Sequence, residues 1–184
     1  MRFGRVLPEM HTAVPGGRKV AVAIRGSEIS DRAMIITLDK AALPLVLDYR
    51  FNMMAEAGMS GLLAPDWRDL TAILYERGQD DGTCVHFGWC EDARIVAVAG
   101  ALVRTDFPAN TFKDRRFGWI MDVYVLPDFR RRGIARHLTA QTLDWLREKG
   151  VTYVKLYASA QAKNAKLYER FGFTPTSEMA MQLG

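Results

Sequence analysis

Cysteine is scarce in this sequence: of 184 residues, only Cys84 and Cys90 are cysteine. They stand in an apparent strand region at an even spacing, which places both side chains on one face but too far apart along one strand to form a local disulfide. No zinc-like spacing accompanies them, and His11, His86 and His137 show no ligand spacing, so no metal site is predicted. Reduced, partly buried thiols in a cytoplasmic protein are the expectation.

Long apolar runs and targeting signals are also missing. No stretch approaches the roughly 20 apolar residues that a membrane-spanning helix needs, and no apolar segment near the start precedes a cleavage site of small residues. The 184 residues are 49% hydrophobic and 25% charged, which is an ordinary globular composition with enough length for one good core. We therefore expect one main domain and no membrane as a partner.

The charge balance favours an anionic partner without identifying it. The formal net charge is +4 at pH 7. A mildly basic protein suits a polyanionic cofactor as well as it suits nucleic acid. Composition alone leaves both possibilities open.

Hydrophobic periodicity and turn residues predict a chain that alternates strands and helices. Residues 1–30 are interpreted as an N-terminal extension, and Pro15-Gly16-Gly17 within it indicates a turn or a flexible segment. The predicted strands are 20–24, 34–37, 83–90, 95–103, 117–125, 151–158 and 178–183, and the predicted helices are 41–57, 64–77, 133–149 and 162–170, with Gly78 just past the second helix. This order indicates an α/β layered domain with a mixed sheet.

The most informative stretch runs from Val123 to His137, where a strand gives way to a helix. The strand breaks at Pro127 and Asp128, and the helix begins behind Gly133. The first N–H groups of a helix have no partner within it and lie at the positive end of the helix dipole, so such a junction binds anions, most often a phosphate. Gly133 lets the backbone approach a ligand closely, and the adjacent arginines add fork-shaped donors that suit phosphate oxygens.

Two motifs in this half of the chain resemble those of a known family. Val123-x-Val125-x-Pro127-x-x-Arg130-Arg131-Arg132-Gly133-Ile134-Ala135 resembles the acyl-CoA-binding motif of the GNAT superfamily of N-acyltransferases, in which Val-x-Pro and two further residues precede Gln or Arg-x-x-Gly-x-Gly or Ala. Leu167-Tyr168-Glu169-Arg170-Phe171-Gly172-Phe173 is similar to the closing Leu-Tyr-Glu-Lys-x-Gly-Phe motif of that family. The resemblance covers about residues 33–183, and its motifs stand in the family's order.

The resemblance implies a fold and an activity. The implied fold is α/β layered: a mixed, mostly antiparallel central sheet with helices on both faces and a splay between the fourth and fifth core strands, here residues 117–125 and 151–158. The implied domain spans residues 31–184. The implied activity is transfer of an acetyl group from acetyl-CoA, as cosubstrate, to a primary amine of a small molecule or peptide by direct attack. No metal is implied, and a monomer and a homodimer both remain open.

The same resemblance implies where coenzyme A binds. The backbones of Val123, Tyr124 and Val125 hydrogen-bond the pantetheine arm as though it were another strand, since unpaired backbone N–H and C=O groups of a strand need a partner. The N–H groups from Arg131 to Arg136 hold the pyrophosphate, while one or two of the arginine side chains point to water. The implied cofactor residues of the turn, the helix start and the following loop are Arg130, Arg131, Arg132, Gly133, Ile134, Ala135, Arg136, Ser159 and Asn164. The family's usual asparagine is Gln161 here, so either Gln161 takes over that contact or the loop after Ser159 is rearranged.

Acetyl transfer also needs groups that move protons. An amine attacks only when it is neutral, and the departing thiolate benefits from a donor. The resemblance implies Tyr168 as that donor, with a core aromatic whose hydroxyl reaches the surface as the alternative. Asp122, on the motif strand, is the candidate base, and structural capping or pairing with an arginine is the rival interpretation.

The sequence does not identify the acceptor amine. Met53, Met54 and Met59 flank the loop after the first long helix and are candidates for the acceptor pocket, with core or surface packing as the alternative. The tryptophans Trp67, Trp89, Trp119 and Trp145 are interpreted as core or boundary anchors.

Two functions of other classes remain as alternatives. One is a non-catalytic acyl-CoA-binding regulatory module on the same fold. The other is a nucleic-acid-binding domain that uses Arg130 to Arg136. Few aromatic residues lie among these arginines to stack on bases, so no nucleic-acid partner is expected.

Overall fold

The computed structural model describes residues 19–20, 33–106, 113–160, 162 and 166–176. Its strands and longer helices are β1 (Lys19–Val20), β2 (Met34–Leu38), α1 (Leu43–Glu56), α2 (Trp67–Asp80), β3 (Cys84–Glu91), β4 (Arg94–Thr105), β5 (Arg116–Val125), α3 (Ile134–Glu148) and β6 (Val154–Leu156). None of the helices in these ranges combines the length and the apolar composition that crossing a membrane requires.

The six strands of the described residues form one sheet in chain order. Neighbours are antiparallel from β1 to β5, and β5 and β6 run parallel across the crossover that contains α3. The apolar run of β4 from Ile95 to Leu102 is nearly continuous because both of its faces pack against the core. The predicted mixed, mostly antiparallel sheet is confirmed.

Helices cover both faces of this sheet, as predicted. α1 and α2 pack on one face, which we call the α1/α2 face; its buried side chains include Leu38, Leu43, Val46, Tyr75 and Val98. α3 packs on the opposite face, where the buried side chains include Trp89, Ala99, Ile120, Leu138 and Leu146. Within the described residues neither cysteine forms a disulfide, and both contribute to the α1/α2 face, as their even spacing predicts.

The structure corrects the end of the second predicted helix. Gly78 lies inside α2 and not beyond it, and the helix continues to Asp80. A Cβ on Gly78 would lie 2.5 Å from the Cβ of Cys84. Glycine therefore stands there because α2 packs closely on β3, whereas Gly82, with φ +65°, serves the turn after the helix.

Other boundaries differ from the predicted ones or lie outside the described ranges. β6 covers Val154–Leu156, not 151–158. Within predicted helix 162–170, Glu169–Phe171 forms a 3₁₀ turn, and residues 161 and 163–165 lie outside the described residues. The predicted strand 178–183 and most of the extension at 1–30 also lie outside them, but Lys19–Val20 pairs with β2.

Candidate active site

β5 and β6 separate partway along their length, which opens a gap in the sheet. Their parallel pairing covers only Gly118, Trp119 and Ile120 of β5. β5 continues for five more residues to Val125, and no described strand lies beside that part of its edge. This is the splay that the resemblance implies, and the described strands confirm it.

The backbone of β5 presents hydrogen-bonding groups to this gap. In an antiparallel pair, residues whose N–H and C=O face the neighbouring strand alternate with residues whose groups face away. The N–H of Leu126 donates to the Val96 carbonyl at 3.0 Å. The groups of Val125, and of Val123 two residues earlier, therefore face the gap. The Val125 carbonyl accepts a hydrogen bond from Arg130 Nε at 2.9 Å, which leaves its N–H for a ligand.

A β-bulge interrupts β5 beside the gap. One residue of β4, Ala99, stands opposite both Asp122 and Val123. Asp122 has a φ of +55°, a left-handed conformation that Asp tolerates better than most residues. Because a bulge redirects side chains, the Asp122 carboxylate turns into the interior on the α1/α2 face.

Asp122 is buried at the centre of a polar network. Arg50 Nη1 of α1 lies 2.5 Å from Oδ1. The Tyr75 hydroxyl of α2 donates to Oδ2 at 2.6 Å, and His86 Nε2 of β3 lies 3.2 Å from the same oxygen. Since a carboxylate only accepts hydrogen bonds, Nε2 carries the ring hydrogen. One carboxylate thus ties α1, α2 and β3 to the bulge.

The environment of Asp122 keeps it ionised. Burial alone would raise its pKa, but the hydrogen bond from His86 and the charge of Arg50 outweigh that effect and hold the pKa below its usual value. The pairing with an arginine that rivalled the catalytic interpretation is therefore observed. A role as base stays a prediction, and the lowered pKa makes this carboxylate a weak proton acceptor.

The sequence interpretation missed the partners of Asp122. Arg50 stands three residues after Leu47 and seven after Leu43, on the apolar side of α1. A charged residue at a position where helical periodicity expects an apolar one indicates a buried ion pair. His86 stands in a strand segment whose residues are all buried. Gly100 of β4 leaves room for it, because a Cβ there would lie 2.6 Å from the imidazole ring.

The turn before α3 has the conformation of an anion cradle. Arg131 and Gly133 both have positive φ, +62° and +79°. The first backbone hydrogen bond of α3 among the described residues runs from the His137 N–H to the Gly133 carbonyl at 3.2 Å, so the N–H groups just ahead of His137 have no acceptor in the helix. Ile134 is buried in the core under α3 and fixes the helix start. Concave N–H groups of this kind bind anions.

Two of the three consecutive arginines are held by carboxylates. Arg130 Nη2 lies 2.8 and 2.7 Å from the two oxygens of Glu56, at the end of α1. Arg132 Nη2 lies 2.9 and 3.1 Å from the oxygens of Glu91, at the end of β3. These ion pairs fix the turn against the sheet and against α1.

The remaining residues of this cofactor prediction divide into anchors and exposed groups. The Tyr124 hydroxyl donates to Glu56 at 2.8 Å, so its side chain supports the Arg130 ion pair. Ala135 is half-buried, and the side chains of Arg131 and Arg136 are exposed. Arg131 and Arg136 therefore stand where an incoming anion first meets the helix start.

Tyr168 and Ser159 lie in the segment after β6. The ring of Tyr168 packs edge-on against Phe173, with centroids 5.9 Å apart. Burial raises the pKa of Tyr168 to about 12, so its hydroxyl keeps its proton at neutral pH, as a donor must. Ser159 Oγ accepts a hydrogen bond from the Ala162 N–H at 3.2 Å. Asn164 lies outside the described residues, as does Gln161.

The three candidate methionines occupy different surroundings. Met53 packs partly against the core of the α1/α2 face, Met54 is half-buried, and Met59 is exposed. In the described part of the chain, no group of three or more His, Cys, Asp or Glu side chains converges to hold a metal ion.

Comparison with known families identifies the class of protein that this gap and cradle define. Residues 52–173 match the family described as Acetyltransferase (GNAT) family. The chain therefore belongs to the GNAT family of acetyltransferases. The resemblance of the two motifs is thus confirmed at the level of the family.

Relatives with names and structures agree with this assignment. A mycothiol acetyltransferase of Renibacterium salmoninarum is 24% identical over 176 residues, which are 92% of this chain and 47% of that protein. The chain thus spans about half the length of this curated relative. A GCN5-related N-acetyltransferase of Ralstonia eutropha JMP134 superposes with a TM-score of 0.74 at 26% identity, covering 82% of this chain and 98% of that one. A predicted acetyltransferase of Clostridium acetobutylicum, crystallised with acetyl-CoA, has the same fold, with a TM-score of 0.73 at 21% identity and coverages of 82% and 96%.

Proposed function

We propose that the protein transfers an acetyl group from acetyl-CoA to a primary amine. The proposal rests on one observation: two sets of backbone hydrogen-bonding groups follow one another along the chain. The groups of Val123 and Val125 face the gap, and within ten residues of chain the free N–H groups of the α3 start follow. A thioester on a long arm that ends in a pyrophosphate matches both arrays at once.

Each part of the site has a proposed partner on coenzyme A. The pantetheine arm lies along Val123 and Val125, where it takes the place of a strand. The pyrophosphate sits on the N–H groups from Arg131 to Arg136, with the exposed Arg131 and Arg136 side chains beside it. Arg130 and Arg132 act through their ion pairs, which hold the turn in shape. Family membership and the fold shared with a protein crystallised with acetyl-CoA support this arrangement.

The proposed chemistry is direct attack on the thioester. The lone pair of a neutral amine adds to the thioester carbonyl, a C–N bond forms, and the C–S bond breaks. The thiolate takes a proton from the Tyr168 hydroxyl, and the amine loses one proton to water or to a base. The buried Asp122 is ionised but enclosed by its partners, so we propose that it holds the bulge beside the thioester and that water carries the amine proton away.

Changing Tyr168 to phenylalanine tests the donor. We expect turnover to fall on the order of 10²-fold, the lower end of what a positioned acid contributes, while the dissociation constant for acetyl-CoA stays within about twofold. The measurement combines calorimetric titration of acetyl-CoA with colorimetric detection of the released thiol in the presence of an amine panel. Tyr49→Phe is the matched control, because Tyr49 is also a buried tyrosine with a raised pKa and its hydroxyl bonds the Ile95 carbonyl on the α1/α2 face.

The same measurement separates an enzyme from a binding module. A non-catalytic acyl-CoA-binding protein would bind acetyl-CoA and release no thiol with any amine, in either variant. If Tyr168→Phe kept full turnover, the hydroxyl would not be the donor to the thiolate. If the wild type bound no acetyl-CoA at all, the acetyltransferase proposal itself would fail.

A further inference from the structure

A second feature lies on the sheet, at the end of β5 opposite the α3 cradle. It is a cleft of about 360 Å³, within the size range of small-molecule sites. Its described lining is Arg104, Thr105, Asp106, Phe117, Trp119, Lys155 and Tyr157. We call it the β5 cleft. None of the three methionines that the sequence suggested for an acceptor pocket lines it.

Three aromatic rings line the described part of the β5 cleft. The rings of Trp119 and Tyr157 meet edge-on with centroids 5.1 Å apart, and Phe117 lies 6.4 Å from Trp119 in the same manner. Tyr157 is 78% exposed, so its ring is accessible to a molecule that enters the cleft. Such a surface receives a flat or apolar body.

Cations are stacked on these rings. The Arg104 guanidinium lies 5.9 Å from the centre of the Trp119 ring, and Lys155 Nζ lies 5.1 Å from the centre of the Phe117 ring. Stacking engages the face of a guanidinium, whereas its N–H donors lie in the plane and remain directed sideways. With Asp106 as the one carboxylate of the described lining, the ionisable groups that line the cleft carry a net charge of +1. A polycationic amine is disfavoured there, and an anionic group is favoured.

The β5 cleft lies close to the gap. Trp119 and Lys155 form the second of the three pairs that join β5 and β6, and Tyr157 follows directly after the last paired residue. Met121, two residues after Trp119, belongs to the α1/α2 face, so Trp119 projects from that face as well. At about 3.3 Å per residue, Trp119 stands ~13 Å along the strand from Val123, where the thioester is proposed to lie.

We propose that the β5 cleft binds the acceptor, and that it selects primary amines whose flat or apolar body carries a carboxylate or phosphate at the end away from the amine. This rests on the proposed acetyl transfer. The anionic group meets Arg104 and Lys155, the body stacks on Trp119 and Tyr157, and the amine points along β5 toward the gap. The distance along β5 from the cleft to the gap therefore sets how far the amine of the acceptor must lie from its anionic group.

Three matched acceptors test the charge preference. 4-(6-Aminohexyl)benzoate, 4-(6-aminohexyl)toluene and 4-(6-aminohexyl)benzylamine share one ring and one aminohexyl arm, which is long enough to span the ~13 Å from Trp119 to Val123, and they differ in an anionic, a neutral or a cationic group at the far end. We expect kcat/KM to be about tenfold or more higher for the benzoate than for the neutral amine, which corresponds to one charge-assisted hydrogen bond. The diamine is expected to be the poorest of the three. The difference should lie in KM, because the anion is held equally before and during the reaction.

Variants of the cationic residues assign the preference to this cleft. Arg104→Gln and Lys155→Gln should each reduce the ratio of kcat/KM between the benzoate and the neutral amine. Arg104→Lys keeps the charge and should restore most of the ratio. Lys149→Gln is the matched control, since Lys149 is also stacked on an aromatic ring, Trp145, at 5.3 Å but on α3.

Binding is measured beside turnover, so that the two proposals fail differently. Acceptor binding to the complex with coenzyme A is followed by calorimetry for all three compounds. Preferential binding of the benzoate that Arg104→Gln removes supports the proposal whether or not transfer is seen. Acetylation of all three amines at equal rates, or faster acetylation of the diamine, would overturn the selectivity and leave the acetyl transfer standing. Equal affinity for the three compounds in the absence of turnover would overturn it as well.

Discussion

Replacing Asp122 with alanine is expected to lower the free energy of unfolding by about 3–5 kcal/mol, the usual cost of removing one partner of a buried ion pair. The loss leaves Arg50 without its carboxylate and deprives the Tyr75 hydroxyl and His86 Nε2 of their acceptor. Alanine also tolerates the φ of +55° less well than aspartate does. Urea unfolding followed by circular dichroism measures the difference.

The matched control is Asp144→Ala. Asp144 pairs with Arg147 at 2.6 Å on the exposed side of α3, with both side chains largely in solvent, so its loss should cost no more than about 0.5 kcal/mol. Equal effects of the two substitutions would contradict the role given to the buried network.

The pH dependence of stability follows from the lowered pKa of Asp122. A carboxyl group whose pKa is lower in the folded state stabilises the protein above its unfolded pKa, and that contribution is lost as the pH falls through the folded value. The wild type should therefore lose stability on acidification more steeply than Asp122→Asn, a variant that cannot titrate.

The Asp122→Asn variant also separates a positioning role of Asp122 from a role as catalytic base. If Asp122 holds the bulge, the Asn variant has a lower rate at every pH but a pH–rate profile of the same shape. If Asp122 is the base, the part of the profile in which the rate rises with ionisation of Asp122 disappears.

Replacing Gly133 with glutamate is expected to weaken acetyl-CoA binding on the order of 10³-fold. The substitution places a carboxylate where the pyrophosphate is proposed to sit, and it forces a side chain into a φ of +79°. Loss of two charge-assisted hydrogen bonds, at about 2 kcal/mol each, accounts for an effect of this size. Calorimetric titration of acetyl-CoA measures it, with dephospho-coenzyme A and free nucleotides as comparison ligands.

Gly150→Glu controls for the strain and the charge in that experiment. Gly150 has a φ of +74° and follows the opposite end of α3, about 22 Å away at the helical rise of 1.5 Å per residue. It should lose stability to a similar extent and keep its affinity for acetyl-CoA. Equal losses of affinity in both variants would indicate a folding defect and not a phosphate site at Gly133.

The turn before α3 and the succession of strands and helices along the chain were predictable because their signals are local. Pro127, Gly133 and the apolar stripe of α3 lie within one continuous segment, and they specify a strand, a turn and a helix start without reference to the rest of the chain. Alternating and continuous apolar runs likewise predict the strands that the sheet contains. The family motifs add the gap, since the splay belongs to the resemblance and not to any pattern in the strands themselves.

The network around Asp122 was not predictable in the same way. Its members come from α1, α2, β3 and β5, and its hydrogen-bonded pairs are separated by 25 to 72 positions in the sequence. No local preference specifies which buried cation meets which carboxylate; only the packing of the α1/α2 face does. Gly78 illustrates the same limit, because a contact with Cys84 across two elements and not a helix stop explains it.

The β5 cleft escaped the sequence interpretation for a related reason. Trp119 has the pattern of a core anchor, since it stands in a largely apolar strand. Only the side-by-side placement of β5 and β6 brings Tyr157 and Lys155 to its edge. A residue type that is common in cores becomes a binding surface when the neighbouring strand leaves part of it uncovered.

Hydrogen exchange measured with and without acetyl-CoA tests whether the gap and the start of α3 bind one and the same ligand. We expect slower exchange of the amides of Val123 and Val125 and of those from Arg131 to Arg136, because both arrays gain acceptors from one ligand. Amides in the middle of β3, which already pair on both sides, should change little. Binding of acetyl-CoA with no added protection in either array would contradict the assignment of the gap and the α3 start as its site.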